Sequence, residues 1–175
     1  MYIPNKEEIL EFVRQSNAIE NIFEDGSHPL VRDHISAIEY AITTFRKGNL
    51  PIYLDVHRIL LASEPEKTPG VYRKILVRVG NYVAPPPELV KKLMTNHWDT
   101  VLGGPRQKDV EQWIWNMHCE FESIHPFIDG NGRVGRIDMN ALRLWHGLPW
   151  ITIRADERRG YYQRITNYRT QRKNG

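Results

Sequence analysis

The sequence predicts an all-α fold carrying one small β-hairpin, and three observations support it. Apolar residues recur at spacings of three and four along most of the 175 residues. Proline and glycine mark the ends of most of these stretches. One stretch alone, residues 70–84, changes to a period of two. The length fits a single domain over residues 1–175. The hydrophobic share of 41% and charged share of 26% are ordinary for a globular chain.

The first helix, residues 6–15, comes after Pro4 and Asn5 and puts Ile9, Phe12 and Val13 on one face. Pro29 opens a longer one, with Val31, Ile35, Ile38, Ile42 and Phe45 as its apolar stripe, and Gly48 and Asn49 end it. Pro51 opens a third, with Leu54, Ile59 and Leu60 facing inward. Residues 70–84 read GVYRKILVRVGNYVA, where Val71, Ile75, Val77 and Val79 are separated largely by basic residues; a short hairpin or extended flap is expected. Pro85, Pro86 and Pro87 stop it and lead into a helix beginning near Glu88. Gly103, Gly104 and Pro105 make a break. Residues 109–124 form a helix with Trp113, Met117 and Phe121 one above another. After a loop, residues 132–146 are helical until Gly147 and Pro149, and a last helix covers about 156–170. There is no internal repeat, linker or low-complexity segment.

Composition narrows the function classes. The net charge of +3 is small, and much of it sits in Arg164, Arg169, Arg172 and Lys173, which read as a solvated tail rather than a nucleic-acid footprint. Cys119 is the sole cysteine, so it has no disulfide partner and no companion at metal-ligand spacing. It falls inside a helical pattern, where a buried packing role is expected. The N-terminus lacks the basic flank and apolar run of a signal peptide, and no stretch is apolar enough to cross a bilayer. The expectation is a soluble, cytoplasmic protein with no membrane partner.

The chemistry is concentrated in residues 125–136, HPFIDGNGRVGR. Pro126 ends the preceding helix, because the residue before a proline disfavours the α conformation. Gly130, Asn131 and Gly132 let the chain turn sharply, and a helix then begins. Its first amides lack partners and carry the positive end of the helix dipole, which makes an anion site suited to phosphate. Arg133 and Arg136 share one face in the first turns, and two guanidinium groups suit a polyphosphate. Asp129 would repel a bare phosphate, but makes sense as a holder of Mg²⁺. His125, just before the loop, can serve as a general base toward a hydroxyl. Taken singly, each has a plainer reading as a cap, a turn or a solvated face; their order and spacing together favour transfer at phosphorus. No Gly-Lys-Ser/Thr comes after it, so this is not a Walker-type loop.

This stretch resembles the signature of the Fic family, His-x-Phe-x-(Asp/Glu)-Gly-Asn-Gly-Arg-x-x-Arg, at every specified position. Residues 70–81 and the prolines after Ala84 are similar to the family's flap, and the resemblance covers most of the chain. It implies a Fic-type helical core with the flap beside the site, and transfer of AMP from ATP to a Ser, Thr or Tyr hydroxyl of a target protein. By the resemblance His125 deprotonates the hydroxyl and Asp129 holds Mg²⁺. Asn131 and the amides of Gly130 and Gly132 orient the α- and β-phosphates, while Arg133 and Arg136 hold the outer phosphates. Phe127 anchors the loop. Ile75, Leu76 and Val77 in the flap pair with the target's backbone by strand addition. Tyr161 and Tyr162 occupy a place where the family often carries a tyrosine pair; Tyr162 is the candidate to border the adenine, with core packing the plainer alternative.

Near the N-terminus, residues 16–21, SNAIEN, resemble the family's inhibitory motif (Ser/Thr)-x-x-x-Glu-(Gly/Asn). Ser16 and Glu20 share a helix face. The implied inhibitory helix covers about residues 6–21, with the Glu20 carboxylate on Arg136 in place of the γ-phosphate. His118 is a candidate to position the motif, no histidine is assigned to a metal, and Trp113, Trp115, Trp145 and Trp150 are expected in the core or an interface. Family members often tune inhibition through oligomeric state, so a homo-oligomer is a further implied partner. Two alternatives stay open: hydrolytic removal of AMP from a modified protein, with Glu20 orienting water, and a nucleotide-sensing module without turnover.

Overall fold

The computed structural model describes residues 2–106 and 108–173, with Lys173 in backbone only, so its charge in the basic tail lies outside the described residues. Seven helices occur in order: α1 (Lys6–Ile19), α2 (Pro29–Arg46), α3 (Tyr53–Leu60), α4 (Pro87–Gly103), α5 (Val110–Ile124), α6 (Asn131–Trp145) and α7 (Arg158–Lys173). Between α3 and α4 come a 3-10 turn at Pro65–Lys67 and then a segment containing β1 (Arg78–Val79) and β2 (Tyr82–Val83). These pair antiparallel, with Arg78 opposite Val83 and Val79 opposite Tyr82.

Helix starts are set by local chemistry. Asn5 caps α1 by accepting the Glu8 N–H, and the Glu8 carboxylate answers the Asn5 N–H. Pro29 opens α2 and Pro87 opens α4 in the first turn, where a missing N–H does no harm. Asp109 caps α5 through the Gln112 N–H. No side chain caps α6.

α6 is the central element, buried almost throughout. Val134 and Ile137 join Phe12 and Val13 of α1, Ile38 and Phe45 of α2, Leu60 of α3 and Phe121 of α5 in the main core. Two of its buried polar residues pair with the chain just beyond the helix. Asn140 accepts the Ile151 N–H and donates to the Ile151 carbonyl, and Arg143 donates to the Pro149 carbonyl. α7 lies against α5 through Tyr161, Ile165 and Cys119, which is fully buried as expected.

Several boundaries depart from the sequence reading. α1 continues through Ile19, so Ser16 is helical and Glu20 is its C-cap. The third helix starts at Tyr53 rather than Pro51, and the last begins at Arg158 after a 3-10 turn at Ala155–Glu157 and reaches Lys173. The hairpin is a correction: residues 70–77 form no strand, and pairing is confined to Arg78–Val79 and Tyr82–Val83. The two-residue alternation marks no strand here: Ile75 sits at a bend, and the Arg73 side chain ties the segment to the carbonyls of His125, Ile75 and Pro85. Trp145 is also outside the core, at 43% exposure, while Trp113 and Trp150 are buried. No described helix is long and apolar enough to cross a membrane.

Candidate active site

The site is built where α5 ends and α6 begins. His125 caps α5 in the left-handed region, φ 50°, with its N–H bonded to the Phe121 carbonyl at 2.9 Å. The loop between the two helices is clamped by Asn131, whose side chain accepts the Phe127 N–H and donates to the Phe127 carbonyl, both at 2.9 Å. Phe127 is buried and stacks on the His57 ring, centroids 3.7 Å apart. His57 donates Nε2–H to the Asp129 carbonyl and accepts the Gly70 N–H at Nδ1, which ties the loop to the segment after α3. Gly130 takes φ 75° against Leu61 and His57, a conformation and closeness that disfavour any side chain. The chain therefore enters α6 abruptly, leaving its uncapped first turn as an anion site. The clamp uses Asn131 Oδ1 and one of the two N–H groups of Nδ2, which leaves the second N–H and the backbone amide as donors.

Both arginines are buried, Arg133 at 2% and Arg136 at 1% exposure. Arg133 brings Nη2 to 3.7 Å from Asp129 Oδ1, while its Nε and Nη1 are buried without a partner. A desolvated guanidinium with unmet donors is costly unless an anion arrives. Arg136 is fully engaged. Its Nε donates to Ser16 Oγ at 2.9 Å, Nη2 to the Ser16 carbonyl at 3.0 Å and to Glu20 Oε1 at 2.7 Å, and Nη1 to Tyr161 Oη at 3.3 Å. Burial works against its charge, but Tyr161, Glu20 and Glu122 outweigh it and hold the guanidinium above its ordinary value.

Glu20 reaches the mouth of α6 itself. A Cβ on Gly132 would collide with Glu20 Oε1, so the carboxylate lies directly on the backbone of the first turn. Its other oxygen is 3.5 Å from Tyr162 Oη. Tyr161 is buried and bridges Arg136 to His118 Nε2, 2.8 Å away.

His125 is largely buried, and burial first, then Arg169, pushes its imidazole down to about 4. It is neutral at pH 7 and able to accept a proton. Asp129, 41% exposed, receives Lys67 Nζ on Oδ2 at 2.7 Å and the Gly130 N–H on Oδ1 at 2.6 Å. Burial would raise its carboxyl, but Lys67, the Gly130 amide and Arg133 hold it below the usual carboxylate range. An ionised, half-exposed carboxylate beside an anion hole is a fitting seat for a hard cation. No cluster of three or more His, Cys, Asp or Glu suited to a metal occurs among the described residues.

The flap is fastened to this centre. The Arg73 N–H bonds the Pro126 carbonyl, and its guanidinium donates to the carbonyls of His125, Ile75 and Pro85 at 2.6 to 2.9 Å. Tyr82 Oη donates to the Ser123 carbonyl, and Arg169 lies 3.9 Å over the Tyr82 ring. A cleft of about 620 Å³ opens between the hairpin and α7, lined by Val79, Asn81, Tyr82, Arg158, Tyr162 and Arg169 among others. Ile75 and Leu76 are more than half exposed, and the Val77 carbonyl accepts the Ala84 N–H.

The structure thus brings His125, Asp129, Arg133, Arg136, Ser16, Glu20 and Tyr162 around one helix mouth. Lys67, His57 and Glu122 carry no site signal in the sequence, and Arg73 reads there only as part of the flap segment. Lys67 and His57 meet the loop across more than sixty residues of chain, which no local spacing signals.

Residues 47–142 match the family model described as Fic/DOC family. A relative from Nematostella vectensis, named protein adenylyltransferase Fic, is 33% identical over 136 residues, covering 73% of this chain and 31% of the relative. One of the same name from Aedes aegypti is 33% identical over 133 residues, 73% of this chain and 26% of that protein. The chain thus spans under a third of the length of these relatives. Among solved structures, a Fic domain containing signaling protein from Bacteroides thetaiotaomicron superposes with a TM-score of 0.76 at 20% identity, covering 93% of this chain and 72% of that one. A Fic family protein from Desulfovibrio desulfuricans gives 0.70 at 25% identity, over 93% and 57%. With its all-helical core, its short hairpin and its intact signature from His125 to Arg136, the chain belongs to the Fic/DOC family.

Proposed function

We propose that this chain transfers AMP from ATP to a Ser, Thr or Tyr hydroxyl of a target protein, and that Glu20 restrains it. One observation carries the reading. An anion, the Glu20 carboxylate, already sits on the first turn of α6 and on Arg136, beside a buried Arg133 with two unmet donor groups. Those groups suit a triphosphate, and Glu20 stands where its outer end would lie. Relatives named protein adenylyltransferase support AMP transfer as the chemistry.

Glu20 must leave before the outer phosphates can take their place on Arg136; a triphosphate bound with Glu20 still there would have its α-phosphorus misplaced. Arg136 and Arg133 then hold the outer phosphates, and the α6 amides hold the inner ones. Tyr162 and the cleft beside the hairpin give the nucleoside a place against α7. Asp129 would hold Mg²⁺ once Lys67 withdraws, and the metal would supply charge neutralisation between phosphate oxygens. Neutral His125 takes the proton of the target hydroxyl as the oxygen bonds to the α-phosphorus, and pyrophosphate departs with the electron pair of the broken bond. The segment Ile75, Leu76 and Val77, of which the first two are more than half exposed, docks the target by strand addition. A cytoplasmic setting, with one unpaired buried cysteine, completes the reading.

The test uses Glu20→Gly, the parent and Glu20→Gly with His125→Ala, incubated with Mg²⁺, ATP and a cell extract. Label in the α-phosphate should pass to protein at least about 10-fold faster in Glu20→Gly than in the parent, since misplacing the reacting centre by about 1 Å can lower a rate about 100-fold. The doubly substituted protein should transfer none. Label transferred from the γ-phosphate instead would contradict AMP transfer. Equal rates in parent and Glu20→Gly would remove the restraint, and AMP release from a modified target without ATP would favour the hydrolytic alternative.

A further inference from the structure

Glu122 stands one turn before His125 on α5 and is 5% exposed. Its Oε2 lies 3.9 Å from His125 Nδ1, which has no side-chain partner and whose ring also faces the Glu122 backbone carbonyl; the other carboxylate oxygen, Oε1, is buried without a partner beside Gly135 and His118. Unpaired buried polar atoms are unfavourable, and a small turn of either side chain would close the 3.9 Å between Oε2 and His125 Nδ1. The room for Glu122 comes from Gly135 of α6. A Cβ there would lie 2.7 Å from Glu122 Oε1, so a carboxylate fits only against bare helix backbone.

Its charged surroundings come from four helices. Its own helix contributes His118, Cys119 and His125, and the C-cap of α1 contributes Glu20. Arg136 faces it from α6, and Arg169, Tyr161 and Tyr162 from α7. Burial pushes its carboxyl up to about 7, with Arg136 and Arg169 pulling it down and Glu20 pushing it up.

We propose that Glu122 is a positioning residue for His125: its carboxylate receives the Nδ1–H of the imidazole and leaves Nε2 to take the proton of the acceptor hydroxyl. This rests on the reading of His125 as the base. In the step, the hydroxyl proton moves to Nε2, the Nδ1 proton stays on the ring, and the hydroxyl oxygen bonds to phosphorus as pyrophosphate leaves. The ring gains a positive charge next to the negative charge of Glu122, which stabilises it in a dry site. The ionised pair then sets the acid limb of the rate profile near neutrality, above the range of the buried imidazole alone.

The experiment is run in Glu20→Gly. Adding Glu122→Gln keeps the shape and an acceptor oxygen but removes the charge and the titration. The expected result is a kcat lower by about 10- to 100-fold, a part of what a general base contributes, with KM for ATP held within about 2-fold and the acid limb moved down by more than about one pH unit. An unchanged kcat and limb would overturn the proposal. A second measurement needs no carboxylate variant. In ¹⁵N-histidine spectra of the parent, assigned with His125→Ala, the neutral His125 ring should carry its proton on Nδ1; a proton on Nε2 would overturn it too. If Glu20→Gly transfers no AMP, or still transfers it without His125, the base assignment itself fails, which is separate from an active base indifferent to Glu122.

Discussion

At the scale of the residue, two charges of the chain itself occupy the groups proposed to meet nucleotide and metal. Glu20 supplies an anion to Arg136, and Lys67 supplies a cation to Asp129. Lys67 is a partly exposed pair, so its contribution to stability is small, but it competes for the carboxylate a metal would use. Lys67→Ala is expected to raise Mn²⁺ affinity of the nucleotide-free protein by about 3-fold or more, as an exposed pair worth up to about 1 kcal/mol allows; electron paramagnetic resonance of free Mn²⁺ measures it. Unchanged affinity would mean that the pair does not compete. How legible this was differs by residue. His125 through Arg136 could be read because the groups are contiguous, and Ser16 and Glu20 because they are one turn apart. Lys67, His57 and Glu122 carried no such signal: the first two act through the tertiary fold, and a Glu on a helix reads as solvated until burial is known. Asn131 shows the opposite. Its identity was legible, yet the side chain closes the loop.

At the scale of the element, α1 is a structural helix that also carries the proposed restraint. Phe12, Val13 and Ile19 are buried, so the helix cannot swing away without opening the core. Glu20 is its C-cap, at the end of the helix and outside the core that holds α1. Glu20→Gly should therefore leave the melting temperature within a few degrees of the parent, while Phe12→Ala should lower stability by about 3–5 kcal/mol, as emptying a buried aromatic site does. Thermal denaturation followed by circular dichroism checks both; a large loss in Glu20→Gly would make the ion pair a stability element. Helix order was legible because periodicity and proline punctuation agree. The alternation over residues 70–77 does not make a strand: Ile75 sits at a bend, and the Arg73 side chain holds its carbonyl.

At the scale of the whole molecule, buried titratable groups oppose each other. Burial chiefly lowers His57, His118 and His125 to about 4, 3 and 4, and His34 well below 6.5. As pH falls below about 6.5 the unfolded chain takes up protons that these folded rings refuse, so stability is lost. Glu122 and Asp138, both raised to about 7 chiefly by burial, act in the other direction and lose stability as pH rises from about 4.5 through 7. Four imidazoles outweigh two carboxyls, so the melting temperature should fall between pH 6.5 and 4.5, less steeply than the histidines alone would dictate. A rise over that interval would contradict the burial of these rings. The claim on which all else depends is that Glu20 occupies the place of a phosphate, and a crystal structure of Glu20→Gly with Mg²⁺ and a non-hydrolysable ATP analogue tests it most directly. The account predicts outer phosphate oxygens on Arg136 and on the free donors of Arg133, with the α-phosphorus beside His125. A nucleotide bound elsewhere, with the mouth of α6 closed by its own side chains, would contradict it.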